Sequence, residues 1–149
     1  MTARTAGGHG CDLADAGIYK HWDSHVIRFA DIDAAGHVNN VAYAVLFESG
    51  RVSFWEAAGV PAAAAGATTV IVRMSIEYRA QMYFPGTVEV GTRALKIGRS
   101  SCTLGQGLFR DGECFATSEA VSVLVDRESE RSTPIPDAVR ALILARSGG

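Results

Sequence analysis

The stretch that decides the fold runs from Asp31 to Gly59 and reads DIDAAGHVNNVAYAVLFESGRVSFWEAAG. It leads from an acidic loop through a Gly-His turn and two asparagines into a segment that is apolar on nearly every side. Gly36 permits backbone angles that other residues avoid, so a sharp turn is expected there. Either Asn39 or Asn40 can cap the helix that follows, its side-chain oxygen taking one of the free N–H groups of the first turn. Val41, Tyr43, Val45, Leu46, Phe47, Val52, Phe54 and Trp55 leave no face of that helix wholly polar, the pattern of a buried helix.

The same stretch carries chemistry. Asp31, Asp33 and His37 are ionisable, close in sequence, and set among the small residues Ala34, Ala35 and Gly36. A helix N-terminus just beyond them offers unpaired N–H donors and partial positive charge, which would stabilise a carbonyl oxygen gaining negative charge during attack. The residues alone do not separate Asp31 from Asp33, and both could simply serve the loop and the cap. Glu48 lies two turns after Val41 on the same side of the helix. It reads either as a second acid–base group or as the i,i+3 ion partner of Arg51. Asp31, Asp33 and His37 suit a metal by ligand type, but no second His or distal acidic cluster completes a shell. No metal and no cofactor is expected.

Outward from this centre, the chain organises itself as one domain, since 149 residues can bury about two thirds of their unfolded surface. Upstream, His25 to Phe29 has strand-like residues and delivers the chain to the acidic loop. Met1 to about Tyr19 reads as a flexible lead-in, with His9 solvated or, as a weaker alternative, part of a metal-binding tail. Downstream, Gly59 and Val60-Pro61 stop the helix, and Ala62 to Ala67 could be a loop or one ragged turn. From Thr69 the period becomes two: Val70, Val72, Met74, Ile76 and Tyr78 share one face, as in a strand covered on one side. Pro85-Gly86 turns the chain into a strand over Val88 to Ile97, with a possible bulge at Gly91. Gly98-Arg99-Ser100 turns it again, and Cys102 to Arg110 is followed at Asp111-Gly112 by a strong hairpin signal. Its partner runs from Glu113 to Val125. After Pro134-Ile135-Pro136 a short helix is expected, with Val139, Leu142 and Ile143 as its apolar stripe.

Composition excludes several classes. A net charge of −2 gives no electrostatic footprint for nucleic acid. No stretch approaches the ~20 apolar residues of a membrane span, and the first residues lack the apolar run of a secretory signal. Cys11, Cys102 and Cys114 are odd in number and lack CxxC spacing, which suits a reducing cytoplasm.

The string DIDAAGHVNNVAY, followed by FES and Arg51, resembles the signature of the hotdog-fold acyl-CoA thioesterases, the 4-hydroxybenzoyl-CoA thioesterase family. Plant acyl-carrier-protein thioesterases are similar across DxDxxxHVNNxxY, and the match extends over roughly Ser24 to Arg146. The resemblance sharpens one long buried helix plus antiparallel strands into an α+β hotdog fold, its sheet wrapped around the helix. The lead-in is then residues 1–22 and the domain residues 23–147.

The resemblance also assigns roles. It makes Asp33, the second Asp of DxD, the general base or nucleophile, and the N–H groups of Asn40 and Val41 the carbonyl polarisers. His37 matches the His of the plant enzymes and would do acid–base work, position substrate or brace the loop; those enzymes carry Asn where this chain has Ala35. Glu48 matches a helix carboxylate of some hotdog enzymes. Tyr43 would pack with its hydroxyl near the site, and Arg99 with Ser100 resembles the turn where relatives hold coenzyme A phosphates. The implied activity is hydrolysis of an acyl-CoA, or an acyl-carrier-protein ester, in a homodimer or homotetramer whose interface contains the site. The rivals are a hotdog dehydratase or hydratase on hydroxyacyl thioesters, whose HFPGxP-like or DxxxxH patterns have other flanks, and a non-enzymatic acyl-CoA binder.

Overall fold

The computed structural model describes residues 10–148. In chain order the main elements are β1 (His21–Val26), α1 (Asn40–Ala57), α2 (Val60–Ala63), β2 (Ala67–Tyr78), β3 (Thr87–Ile97), β4 (Ser101–Arg110), β5 (Glu113–Asp126) and α3 (Asp137–Ser147). Among the described residues the strands form one antiparallel sheet in the order β1-β3-β4-β5-β2. α1 lies across one face of it, so the architecture is the expected α+β wrap of sheet around helix. The β4–β5 hairpin turns on Asp111 and Gly112 with φ of 49° and 79°, both left-handed as a tight two-residue turn requires.

Helix and sheet meet closely at Gly50, where a Cβ would stand 2.6 Å from Val90 Cγ1. The apolar core divides there. One cluster gathers Ile27, Val38, Tyr43, Phe47, Met82, Val90 and Leu108 around the start of α1, and another gathers Phe54, Trp55, Leu104, Leu124, Val139 and Ile143 around its end. Between them runs a polar row in register across four strands: Ser118, Gln106, Thr92 and His21, all buried. Gln106 Nε2 donates to the Phe47 carbonyl (2.9 Å) and to Thr92 Oγ1 (3.0 Å). At the β1 end, Arg146 donates to His21 Nδ1 (3.0 Å from Nε), which leaves the His21 Nε2–H to donate to Ser53 Oγ (3.0 Å). Burial and the Arg146 charge both pull the His21 pKa down.

Four expectations need correction. The first strand is His21–Val26, earlier than His25 to Phe29; Phe29 lies in a 3-10 turn and is exposed. The lead-in is packed from Leu13 to Tyr19, because Tyr19 and Leu13 bury themselves with Phe109 on the sheet face away from α1; the first nine residues, His9 included, lie outside the described residues. Gly91 is no bulge. It is paired in register with Trp22 and Gly107, and its missing Cβ would be 2.5 Å from the Tyr19 ring, while the irregularity falls between Ala94 and Lys96. Finally, β2 is not covered on one side. It is an edge strand with a register shift between Ile71 and Arg73, and Val70, Val72, Met74 and Tyr78 are all exposed in the single chain. The ragged alanine stretch begins as the short helix α2 and runs into β2 at Ala67. Of the C-terminal stripe, Val139 and Ile143 are buried while Leu142 is exposed.

Candidate active site

The acidic loop is closed by its own backbone. Asp33 N–H donates to the His37 carbonyl (2.9 Å), Gly36 N–H to the Asp33 carbonyl (3.0 Å), and Ile32 bridges Val38. Gly36 takes φ 85° at the turn, an angle that costs a side-chain-bearing residue more. Val38 N–H then donates to the Met82 carbonyl (2.9 Å) and Asn39 N–H to that of Asp31 (2.8 Å). These bonds pin the loop against the β2–β3 connection and deliver Asn39 to the helix start. Asn39 is therefore the cap, its Oδ1 accepting from the N–H groups of Val41 (2.7 Å) and Ala42 (3.2 Å).

The two aspartates occupy different environments. Asp31 is buried, and its carboxylate accepts from the Arg28 N–H (2.8 Å) and from Arg28 Nη2 (2.8 Å). The guanidinium hydrogen bond holds the Asp31 carboxyl below the usual carboxylate range. That side chain is committed to the loop. Asp33 is exposed at the loop tip; its Oδ1 accepts from Ala35 N–H (2.9 Å) and, at longer range, from His37 N–H (3.4 Å). No hydrogen bond within the described chain takes its Oδ2.

The helix start differs from the expectation in one amide. Val41 N–H is engaged by the Asn39 cap, so it is not the free carbonyl polariser that the resemblance implies. Asn40 N–H, at the first helical position, has no acceptor in the described chain and sits at the positive end of α1. Tyr78, from the end of β2, donates its hydroxyl to the Asn40 carbonyl (3.1 Å). Tyr78 and Tyr83 were missed as site residues. Tyr83 packs edge-on against the half-buried His37 ring at 5.4 Å. Their only sequence signals were an aromatic at a strand end and another in a Pro-Gly loop.

Other candidates are placed elsewhere. Tyr43 is buried and donates its hydroxyl to the Ala80 carbonyl (3.1 Å), tying α1 to the β2–β3 connection. Glu48 is exposed on α1 and makes no ion pair with Arg51. Arg51 has turned inward, to Gln106 Oε1 (3.1 Å) and Met74 Sδ (3.5 Å). Arg99 and Ser100 lie beyond the far end of β3, whose eleven residues separate them from the loop by about 3.3 Å each. One chain does not bring them to Asp33. A small hollow of about 10 Å³ lies at that same far end, lined by Trp55, Cys102, Leu124 and Val139 among others. Trp55 is some 15 residues along α1 from Asn40, about 1.5 Å each, so this hollow is not a substrate site for Asp33. Burial pushes the Cys102 thiol up to about 12, so it offers no thiolate.

An antiparallel five-stranded sheet around a central helix defines the hotdog class of α+β proteins, although this helix is not buried all round as its composition suggests: Val41, Val45, Glu48 and Val52 are exposed. Residues 27–143 match the thioesterase-like superfamily, and the chain belongs to that superfamily. Among solved structures it is similar to the PA5185 protein of Pseudomonas aeruginosa strain PAO1, at 32% identity and a TM-score of 0.79, covering 87% of this chain and 92% of that one. It is also similar to a thioesterase from Thermus thermophilus whose structure is complexed with coenzyme A and Zn (27% identity, TM-score 0.77, 89% and 97% covered). A curated relative is the uncharacterised YsmA of Bacillus subtilis strain 168, 27% identical over 121 residues, or 79% of this chain and 81% of that protein. Among the described residues no helix is long and apolar enough to cross a membrane.

Proposed function

We propose that the protein is an acyl-CoA thioesterase of the 4-hydroxybenzoyl-CoA thioesterase kind, working as a homodimer or a larger assembly of dimers. The observation that carries this reading is the free Oδ2 of Asp33 on the loop that leads into a helix start whose Asn40 N–H is unpaired. Asp33 takes a proton from a water molecule as that water attacks the thioester carbonyl carbon. In the nucleophilic variant, Asp33 attacks first and water then opens the anhydride. Asn40 N–H and the helix dipole hold the oxyanion. Collapse breaks the C–S bond, and the coenzyme A thiolate leaves and is protonated.

Two features of the chain favour a dimer. Its site lies open at the bare β2 edge, and Arg99 and Ser100 can meet a coenzyme A phosphate at this site only from another protomer. A neighbour bound to coenzyme A supports the ligand class. Three cysteines without disulfides suit a reducing cytoplasm.

The test is thiol release from a panel of acyl-CoA and acyl-carrier-protein esters, each with wild type and Asp33→Asn. The expected result is release that the substitution abolishes. Release that survives in Asp33→Asn removes Asp33 from the mechanism. Binding without release identifies an acyl-CoA binder, and conversion of a hydroxyacyl ester without thiol release identifies a hydratase or dehydratase.

A further inference from the structure

The polar row beneath α1 is satisfied at one end and incomplete at the other. Gln106 uses both amide hydrogens and its oxygen, on Thr92 of the row and on Phe47 and Arg51 of α1. Toward β2, however, Ser118 Oγ is buried with no partner. Arg51, only 6% exposed, has Gln106 Oε1 and a sulfur as its acceptors, both through the same Nη1. Among the described residues the salt bridges are His25–Asp23 and Arg28–Asp31, so no carboxylate neutralises Arg51. A guanidinium taken out of water without a counter-charge is costly, and buried charges are ordinarily paired. Desolvation accordingly depresses the Arg51 pKa, with the Glu48 charge opposing it from a distance.

The carboxylate that Arg51 lacks has a counterpart on the same helix. Val41, Val45, Glu48 and Val52 fall at i, i+4, i+7 and i+11, on one side of α1, and all four are exposed. The flank of α1 beside this stripe reaches β2 through Arg51 and Met74, and Ile71, Val72 and Met74 are exposed there. Whatever covers the valines must cover Glu48 with them, and a covered carboxylate needs a cation. A two-fold contact places the same surface on both sides, so that residue i meets j while j meets i. One stripe holds an unpaired acid, and the flank beside it holds an unpaired base.

We propose that a second copy of this chain covers the α1 stripe and that Glu48 of each copy pairs with Arg51 of the other. The inference rests on the dimeric reading above and adds to it. The pair fixes the Glu48 carboxylate at the interface, held by a guanidinium that Gln106 locks to the sheet. Glu48 is then positioned by the second copy rather than by its own helix.

A double-mutant cycle on dimer dissociation tests this, using the full chain diluted from micromolar to nanomolar concentration by sedimentation and mass photometry. Glu48→Gln and Arg51→Met are each expected to raise the dimer Kd on the order of a hundredfold. The double variant should be no weaker than the worse single one. Glu48→Lys, at a position exposed in the free chain, keeps the inference testable should Arg51→Met fail to fold: it should dissociate the dimer further, and Arg51→Glu should restore it. Additive effects in the cycle, or a Glu48→Lys dimer as tight as wild type, would overturn the pairing. A wild type that is monomeric at every concentration would instead overturn the dimeric reading itself.

Discussion

The sheet has two edges, and they are unlike. β1 is six residues long, its Asp23 and His25 side chains meet at 2.7 Å, and Tyr19, Trp22 and Phe109 stack over its outer side. On the helix side, His21 is clamped between Ser53 and Arg146. Such an edge is short, charged and covered, as edges that avoid pairing generally are. β2 is twelve residues long and leaves Val70, Ile71, Val72, Met74 and Tyr78 exposed. Tyr78 at its end holds the first turn of α1, and Met74 in its middle touches Arg51. The contrast teaches that closure was completed on one side and withheld on the side that meets the start of α1. An unguarded edge of that length is a template for another strand.

The sharpest way to test the open side is chemical. Asp33→Asn should lower kcat for thioester hydrolysis on the order of a thousandfold, with the thermal midpoint of unfolding held near wild type because Asp33 is exposed. Next, a charge can be placed on each edge. Val72→Lys should weaken the dimer on the order of a hundredfold by setting like charges face to face, while Ser24→Lys on β1 should leave its sedimentation unchanged. Equal responses would mean that the edges are functionally alike. Asn39→Ala should cost about 1 kcal/mol of stability through the lost cap, measured by urea unfolding, and should reduce kcat as the helix start loosens.

The smallest effect belongs to the closed side. His21 is held neutral, with its folded pKa depressed by burial and by Arg146, Asp23 partly opposing. Its contribution to stability is therefore complete above the unfolded value of about 6.5 and is lost as pH falls below it toward the folded value. The unfolding midpoint should drop from pH 7 to pH 5.5 more steeply in wild type than in His21→Gln.

Local signals carried much of the fold. Asp111-Gly112 demanded a tight turn, the Asn39-Asn40 pair opened a helix, and the alternation of β5 held from Ala116 to Leu124, because each depends on neighbours in sequence; nearer the hairpin a register shift at Phe115 broke it. What stayed hidden depends on distant ones. Nothing near Leu13 or Tyr19 announces that Phe109 and the bare backbone of Gly91 await them across the sheet. The alternation of β2 suggested one covered face because a bulge and an edge position leave no local trace. At the site, the carboxylates looked equivalent until Arg28 was seen to occupy Asp31. Val41 lost its amide to a cap whose choice between two asparagines is a matter of backbone angle. Arg51 looked like a surface partner for Glu48, and only the buried Gln106, 55 positions later, turns it inward.

The most direct measurement is thiol release per protomer, followed while the protein is diluted through the range in which its dimer dissociates. Turnover should fall in step with the dimer fraction, because in the proposed dimer a second β2 edge closes over Asp33 and the Asn40 amide. Full activity in isolated protomers, or no thiol release from any ester at concentrations where the protein is wholly dimeric, would contradict it.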